Sequence, residues 1–310
     1  MTCRLSHQQR LSGNKASATV AVFDQMQQIR FIDLFAGIGG FHLALARQGA
    51  QCVFASEINE KAKKTYLANH SLDKDAWHGD ITLIEPQQIP DHEILCAGFP
   101  CQPFSQAGQK KGFDDVRGTL FFNILQILEE KRPEAYFLEN VRGLLKHDNG
   151  RTFSVIQEKL EALGYSFQSF VVKSSDYGLP QHRPRLFMIG FRDGVTKIEL
   201  PEKLPLKYTM SDIFSGNCEK EVGFTLRVGG RGSVYGDRRN WEFYKVDGEI
   251  RRLTSKQGLL MQGFPSDFIF PVSEIEAMKQ LGNSVSVDAI EAFYKKIKEK
   301  LSAEQFTLIK

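Results

Sequence analysis

Between residues 29 and 191 the hydrophobic positions fall into short apolar runs that alternate with stretches of helical spacing. Residues 29–35 form one such run, followed by a glycine turn at 36–40 and by residues 41–47 in helical spacing. Residues 52–56 predict a second strand, closed by Glu57; 94–97 and 135–138 predict two more, each ending in a turn-like segment. Leu120, Phe121, Ile124, Ile127 and Leu128 mark one helix, and Phe153, Ile156, Leu160 and Leu163 another. Residues 165–172 and 185–191 predict a closing pair of strands. Strands that alternate with helices imply an α/β fold, doubly wound, with a mostly parallel sheet covered on both faces.

The flanking regions differ. Residues 1–28 are polar and without sustained period, which predicts a flexible extension, with a helical arm as the other possibility. Past residue 192, Gly, Lys, Arg and Glu dominate and periodicity weakens, notably at VGGRGSVYG, so a small irregular module is expected over 193–273. Val285, Val287, Ile290, Phe293, Ile297 and Leu301 fit a final amphipathic helix that packs back, making 29–192 and 274–310 one domain.

Composition narrows the classes. The 310 residues are 42% hydrophobic and 25% charged, which suits a folded chain. No run approaches the ~18 apolar residues of a membrane span, and the N-terminus lacks a signal-peptide core. Five cysteines without CxxC spacing fit neither a disulfide framework nor a zinc cage, so a reduced, cytoplasmic protein with no metal is expected. A net charge of +3 permits a nucleic-acid partner without requiring one.

The first chemistry lies in Asp33-Leu-Phe-Ala-Gly-Ile-Gly-Gly40, which follows a strand and opens a helix. Its glycines let backbone approach a ligand, and the helix start favours a negative group, so Asp33, Phe35, Ala36, Gly37, Gly39 and Gly40 are cofactor candidates. Glu57 follows about 20 residues on, the spacing for gripping ribose hydroxyls. The turn is not GxGxxG, so a nucleoside such as S-adenosyl-L-methionine fits better than a dinucleotide. Asp80, in GDI, is either a third contact or a helix cap.

Cys101 stands in GFPCQPFS just past a strand, on a turn stiffened by Pro100 and Pro103, and is the candidate nucleophile. Cys3, Cys52, Cys96 and Cys218 read as inert core or incidental thiols. Glu139, in FLENV, ends the next predicted strand, and carboxyl ends of neighbouring parallel strands converge on one crevice. In QHRPR, Gln181, Arg183 and Arg185 alternate to one face of a strand, either as a solvated edge or as groups that hold a phosphate or polarise a base.

From about residue 30 to the final helix, the chain resembles the cytosine-carbon-5 DNA methyltransferases of bacterial restriction–modification systems. FIDLFAGIGGF, GFPCQPFS, ENV, QHRPR, RRLTSKQGLLMQGFP and GNSV stand in the family's order. The resemblance implies the S-adenosylmethionine-dependent methyltransferase fold with a small target-recognition domain. It implies methyl transfer from S-adenosyl-L-methionine to carbon 5 of a cytosine flipped out of double-stranded DNA, leaving S-adenosyl-L-homocysteine.

By the same resemblance, Phe35 lies against the adenine, Glu57 holds the ribose, and Asp80 and Ile81 frame the adenine. Pro100 and Val285 join the cofactor set, as does Asn283, which also helps place the loop carrying Glu139. Cys101 is the attacking thiolate, Glu139 the proton donor, and Arg183 and Arg185 support the ring and adjoining phosphate. Residues 102–117 correspond to a segment that closes over DNA. Ile58 departs from the family at a position where an aromatic often meets the adenine, and residues 255–258 read SKQG where PREC is common. The recognition module is also short.

Arg227, Arg231, Arg238 and Arg239, with Arg251 and Arg252, concentrate charge in or beside that module, for salt-sensitive phosphate contacts or as a solvated loop. The expected partner is duplex DNA, with a cognate restriction endonuclease acting separately on it, and the expected state a monomer. Two alternatives are a tRNA-methylating relative and a non-catalytic DNA-binding one. The GFPCQPFS wording and the recognition module favour DNA, and intact Cys101, Glu139 and Arg183 favour catalysis.

Overall fold

The computed structural model describes residues 28–100, 120–228 and 234–308, with side chains to residue 303. The predicted N-terminal extension up to residue 27, Cys101 and the segment 102–117 lie outside the described residues. Seven strands form one sheet: β1 (Arg30–Leu34), β2 (Gln51–Ser56), β3 (Trp77–His78), β4 (Ile94–Gly98), β5 (Ala135–Val141), β6 (Gln168–Lys173) and β7 (Pro184–Phe191), in the order β3-β2-β1-β4-β5-β7-β6. β1 to β5 run parallel, as expected, and the closing strands β6 and β7 are antiparallel. The order turns back between β1 and β4, and in open α/β sheets such a switch point opens a crevice beyond the strand carboxyl ends.

Successive residues of the central strands feed opposite faces. Phe31, Ile94, Cys96, Ala135 and Phe137 join one apolar cluster, while Ile32, Leu95, Ala97, Tyr136 and Leu138 join the other. That is why these strands read as unbroken apolar runs. The second face is covered by α3 (Leu120–Lys131), whose Phe121, Ile124, Leu125 and Leu128 share a helical stripe, and by α4 (Arg151–Ala162) through Ile156 and Leu160. The first face is covered by α1 (Gly40–Ala46) and by α8 (Val287–Leu308), whose Ile290, Phe293, Ile297 and Leu301 are buried, while α2 (Glu60–Asn69) packs its Tyr66 with Ala36 and Ala55. Val285, read as the start of that final helix, lies in the turn before it.

The region after 192 holds the short helix α5 (Met210–Phe214), the hairpin β8 (Phe243–Val246) and β9 (Glu249–Arg252), and helix α6 (Ser255–Gln262). It does not stand apart from the sheet. Met210, Trp241, Tyr244 and Leu259 belong to the apolar cluster of the first sheet face. A Thr254–Gln257 capping box starts α6 and Gly263, at φ 84°, ends it. Helix α7 (Glu274–Asn283) then runs into α8 through a tight turn at Ser284–Ser286.

Candidate active site

Strand register levels the carboxyl ends. Leu34 pairs with Ser56 and with Ala97, and Gly98 pairs with Glu139. Beyond them opens a cavity of about 790 Å³, whose wall includes Phe35, Gly37, Glu57, Pro100, Glu139 and Asn283. A small adjoining cavity is lined by Ala36, Gly40 and Val285 among others.

The glycine turn shapes one wall. Phe35 adopts φ 56°, rare for a bulky side chain and a form of strain that the surrounding structure must hold. Ala36 N–H donates to the Ser56 carbonyl at 2.9 Å, tying the turn to β2. Gly37, also left-handed, has open space where a Cβ would stand; at Gly40 an added Cβ would come within 2.5 Å of Val285. Gly39 faces the other way, where a Cβ would overlap the His70 ring. His70 Nε2 lies 2.9 Å from the Ile38 carbonyl, and its ring stacks on His42 at 4.5 Å. Burial holds both histidines neutral, pushing His42 down to about 3.

Glu57 follows β2. Its Oε2 accepts the Gly37 N–H at 3.0 Å and its Oε1 the Asn59 N–H at 2.9 Å, which fixes the carboxylate at the cavity wall. Ile58 is 68% exposed on the same wall. Asp33 sits beneath the turn and is not part of that wall: it is buried, one oxygen accepts the His42 N–H at 3.3 Å, and the other has no partner among the described residues. Burial, with Glu57 adding repulsion, pushes its carboxyl up to about 8 against the pull of the His42 hydrogen bond. Asp80 caps the short turn 81–83 by accepting from Thr82 N–H at 2.9 Å, and Ile81 is buried in the second apolar cluster; neither lines the cavity.

Glu139 and the QHRPR arginines form the opposite wall. Arg185 Nε donates to Glu139 Oε1 at 2.9 Å, both side chains being largely buried. Burial pushes the Glu139 carboxyl up from its ordinary range, while Arg185 and then Arg183 pull against it. Pro184 begins β7, so Gln181 and Arg183 precede the strand on which alternation was expected. Arg183 is buried and grips backbone: it donates to the carbonyls of Leu226 (3.1 Å), Gly282 (2.9 Å) and Ser284 (2.6 Å).

Two contributors were not singled out from sequence. Asn140, next to Glu139 in ENV, donates to the Phe99 carbonyl at 2.9 Å and so holds Phe99 against the end of β5. Gln280 lines the cavity, buried, with a side-chain nitrogen lacking any partner among the described residues. The first was within reach, since Asn140 stands inside a quoted motif; nothing in the sequence marks the second.

Of the arginines in and beside the small module, Arg227 reaches the cavity wall and Arg238 is exposed, while Arg231 lies outside the described residues. Arg239, Arg251 and Arg252 are paired with Asp237, Asp247 and Glu242 at 2.8–3.0 Å, which reduces their free charge. Among the remaining cysteines, Cys96 and Cys218 are buried; Cys52 is half-buried, its thiol pushed up to about 12 by burial. No helix among the described residues is long and apolar enough to cross a membrane.

The sequence profile described as C-5 cytosine-specific DNA methylase matches residues 29–229 and 227–299. A Type II methyltransferase of Shigella sonnei, M.SsoII, is 42% identical over 304 residues, covering 86% of this chain and 79% of that protein. The Type II methyltransferase M1.ScrFI of Lactococcus lactis subsp. cremoris is 41% identical over 320 residues, covering 91% of this chain and 82% of its own. Among solved structures, the S. pombe Dnmt2 methyltransferase superposes with a TM-score of 0.70 at 21% identity, covering 88% of this chain and 99% of that one; at that identity the likeness concerns the fold.

Proposed function

The chain belongs to the C-5 cytosine-specific DNA methylases, and we propose that it transfers a methyl group from S-adenosyl-L-methionine to a cytosine flipped out of duplex DNA, through a covalent bond to Cys101. The cavity beyond the strand ends fits such a donor. Glu57 is braced by two backbone N–H groups and keeps lone pairs for two ribose hydroxyls. Gly37 leaves open space, and the Gln280 nitrogen is a donor on the wall without a partner among the described residues. Phe35 and Ile58 would lie against the adenine, with Pro100, Asn283 and Val285 closing the pocket. When bound, the donor supplies an electrophilic methyl on a sulfonium.

The chain's own groups make the base reactive. Carbon 5 of cytosine is too weak a nucleophile alone. The Cys101 thiolate bonds to carbon 6, and the ring electrons shift toward nitrogen 3, which takes a proton from Glu139. Carbon 5, now part of an enamine, takes the methyl as the sulfur–methyl bond breaks and S-adenosyl-L-homocysteine is left; a base then removes the carbon-5 proton, the bond to the Cys101 thiolate breaks, and the nitrogen-3 proton returns to Glu139. Stacked duplex hides the base, so it must be extruded into the cavity.

Glu139 carries this reading. Its carboxyl is buried and pushed up, so it holds a proton more readily than an exposed one, and Arg185 engages only Oε1. Gly98, its register partner, leads through Phe99 and Pro100 directly to Cys101 in the chain. Residues 193–273 serve as the target-recognition domain, with Arg227 and Arg238 meeting phosphates. The protein works as a cytoplasmic bacterial monomer beside a separately acting restriction endonuclease.

Labelled methyl transfer tests the reading. Purified protein is given labelled S-adenosyl-L-methionine with either unmethylated plasmid DNA or bulk tRNA, followed by bisulfite sequencing of the DNA. Label in DNA, at cytosines in one sequence context, is expected. Label only in tRNA, or at a different base, overturns it.

A further inference from the structure

Gln181 and Arg183, two residues apart, meet Gln262, 81 residues beyond Gln181, in one buried knot. Both glutamines are fully buried. Gln181 Nε2 donates to the Met261 carbonyl at 2.9 Å and lies 3.2 Å from Gln262 Oε1, while its Oε1 accepts the Leu226 N–H at 2.9 Å. Gln262 Nε2 donates to the Leu281 carbonyl at 2.7 Å and lies 3.3 Å from that of Ser284. Arg183 adds its bonds to Leu226, Gly282 and Ser284. Leu226 thus has both backbone polar groups held by the knot.

Two segments are tied together in this way. One is 225–228, which carries exposed Arg227 and leads toward the glycine-rich part of the recognition module. The other is 281–284, whose Gly282, Asn283 and Ser284 line the cavity. They touch directly as well: a Cβ on Gly282 would fall 2.6 Å from the Arg227 carbonyl carbon. Buried amides left unpaired are costly, so displacement of one segment drags the other instead of breaking the ties.

We infer that Gln262 and Gln181 are positioning residues that couple DNA contact at the recognition module to affinity at the cofactor cavity. The inference rests on the reading given under Proposed function. DNA that pulls on Arg227 and Val228 shifts the turn 282–284, and through it the cavity wall. Coupling of this kind is reciprocal: the factor by which DNA tightens the cofactor equals that by which the cofactor tightens DNA. Arg183 bridges the two segments directly and the glutamines brace that bridge from either side, so methionine side chains of similar size in place of the amides loosen the bridge while keeping the volume filled.

Equilibrium dialysis of labelled S-adenosyl-L-homocysteine reads this directly. It is run with and without saturating plasmid DNA that the unaltered protein is shown to methylate. DNA is expected to tighten binding to the unaltered protein by about fivefold or more. In Gln262→Met and in Gln181→Met that factor should fall below about twofold, with affinity in the absence of DNA held within about threefold. Binding without any effect of DNA in the unaltered protein, an undiminished factor in the variants, or equal weakening with and without DNA would each overturn the inference. Should one variant fail to fold, by its thermal melt, the other carries the test. No binding of S-adenosyl-L-homocysteine by the unaltered protein would count instead against the proposed function.

Discussion

Replacing Asp33 with asparagine isolates the cost of burying a carboxyl beneath the glycine turn. The substitution keeps the shape and an acceptor for the His42 N–H while removing the titration. In the fold the carboxyl is pushed up from 3.8 to about 8. A raised native value means that the unfolded chain loses its proton first. Its stabilising contribution is therefore complete below about pH 4 and is lost as pH rises toward 8. Between those limits the loss runs at ~1.4 kcal/mol per pH unit. Two units, from pH 5 to 7, amount to about 3 kcal/mol, a large share of the 5–15 kcal/mol that holds a typical domain together. Urea unfolding of both proteins at pH 5, 6 and 7 gives the difference in stability. Asp33→Asn should gain on the unaltered protein by about 3 kcal/mol over that range. A difference that stays flat with pH would mean that Asp33 is ionised in the fold, and the burial argument would fail.

Other perturbations address packing and chemistry. Phe293 is buried among Phe137, Phe170, Tyr177 and Phe187, with ring centroids 5.1–6.3 Å away, so Phe293→Ala should cost about 3–5 kcal/mol in urea unfolding; a loss under 1 kcal/mol would place α8 outside the core. Glu139→Gln removes the proton donor and should slow single-turnover methyl transfer by roughly 10²–10⁴. With Glu139 intact, the rate should fall as pH rises through its raised value, because the protonated form is the active one; the variant should lack that limb. Phe35→Ala should weaken S-adenosyl-L-homocysteine binding tenfold or more, the order expected for about 1.4 kcal/mol of lost stacking, and leave DNA binding nearly unchanged; equal losses would contradict the assigned contact.

The sheet was legible because its central strands are buried on both faces, which writes them as continuous apolar runs such as 94–97 and 135–138. The pairing of Gly98 with Glu139, and so the wall of the cavity, follows from parallel topology. Asp80 was harder, since a carboxylate after a strand looks the same whether it meets a ligand or caps a turn, and its Oδ1 bond to Thr82 is compatible with either role. Arg183 was less legible still. Its partners lie 43 to 101 residues away and are backbone carbonyls, which leave no residue-type signal in the chain. The small module looked irregular for a similar reason: Trp241 and Tyr244 join the apolar cluster of the first sheet face without any local period.

The covalent step is tested most directly by mass spectrometry of the protein after incubation with S-adenosyl-L-methionine and duplex DNA carrying 5-fluorocytosine, whose carbon 5 has no proton to lose. A stable protein–DNA adduct mapped to the peptide containing Cys101, absent from Cys101→Ser, is expected. An adduct that survives Cys101→Ser, or none from protein that methylates ordinary DNA, would contradict it.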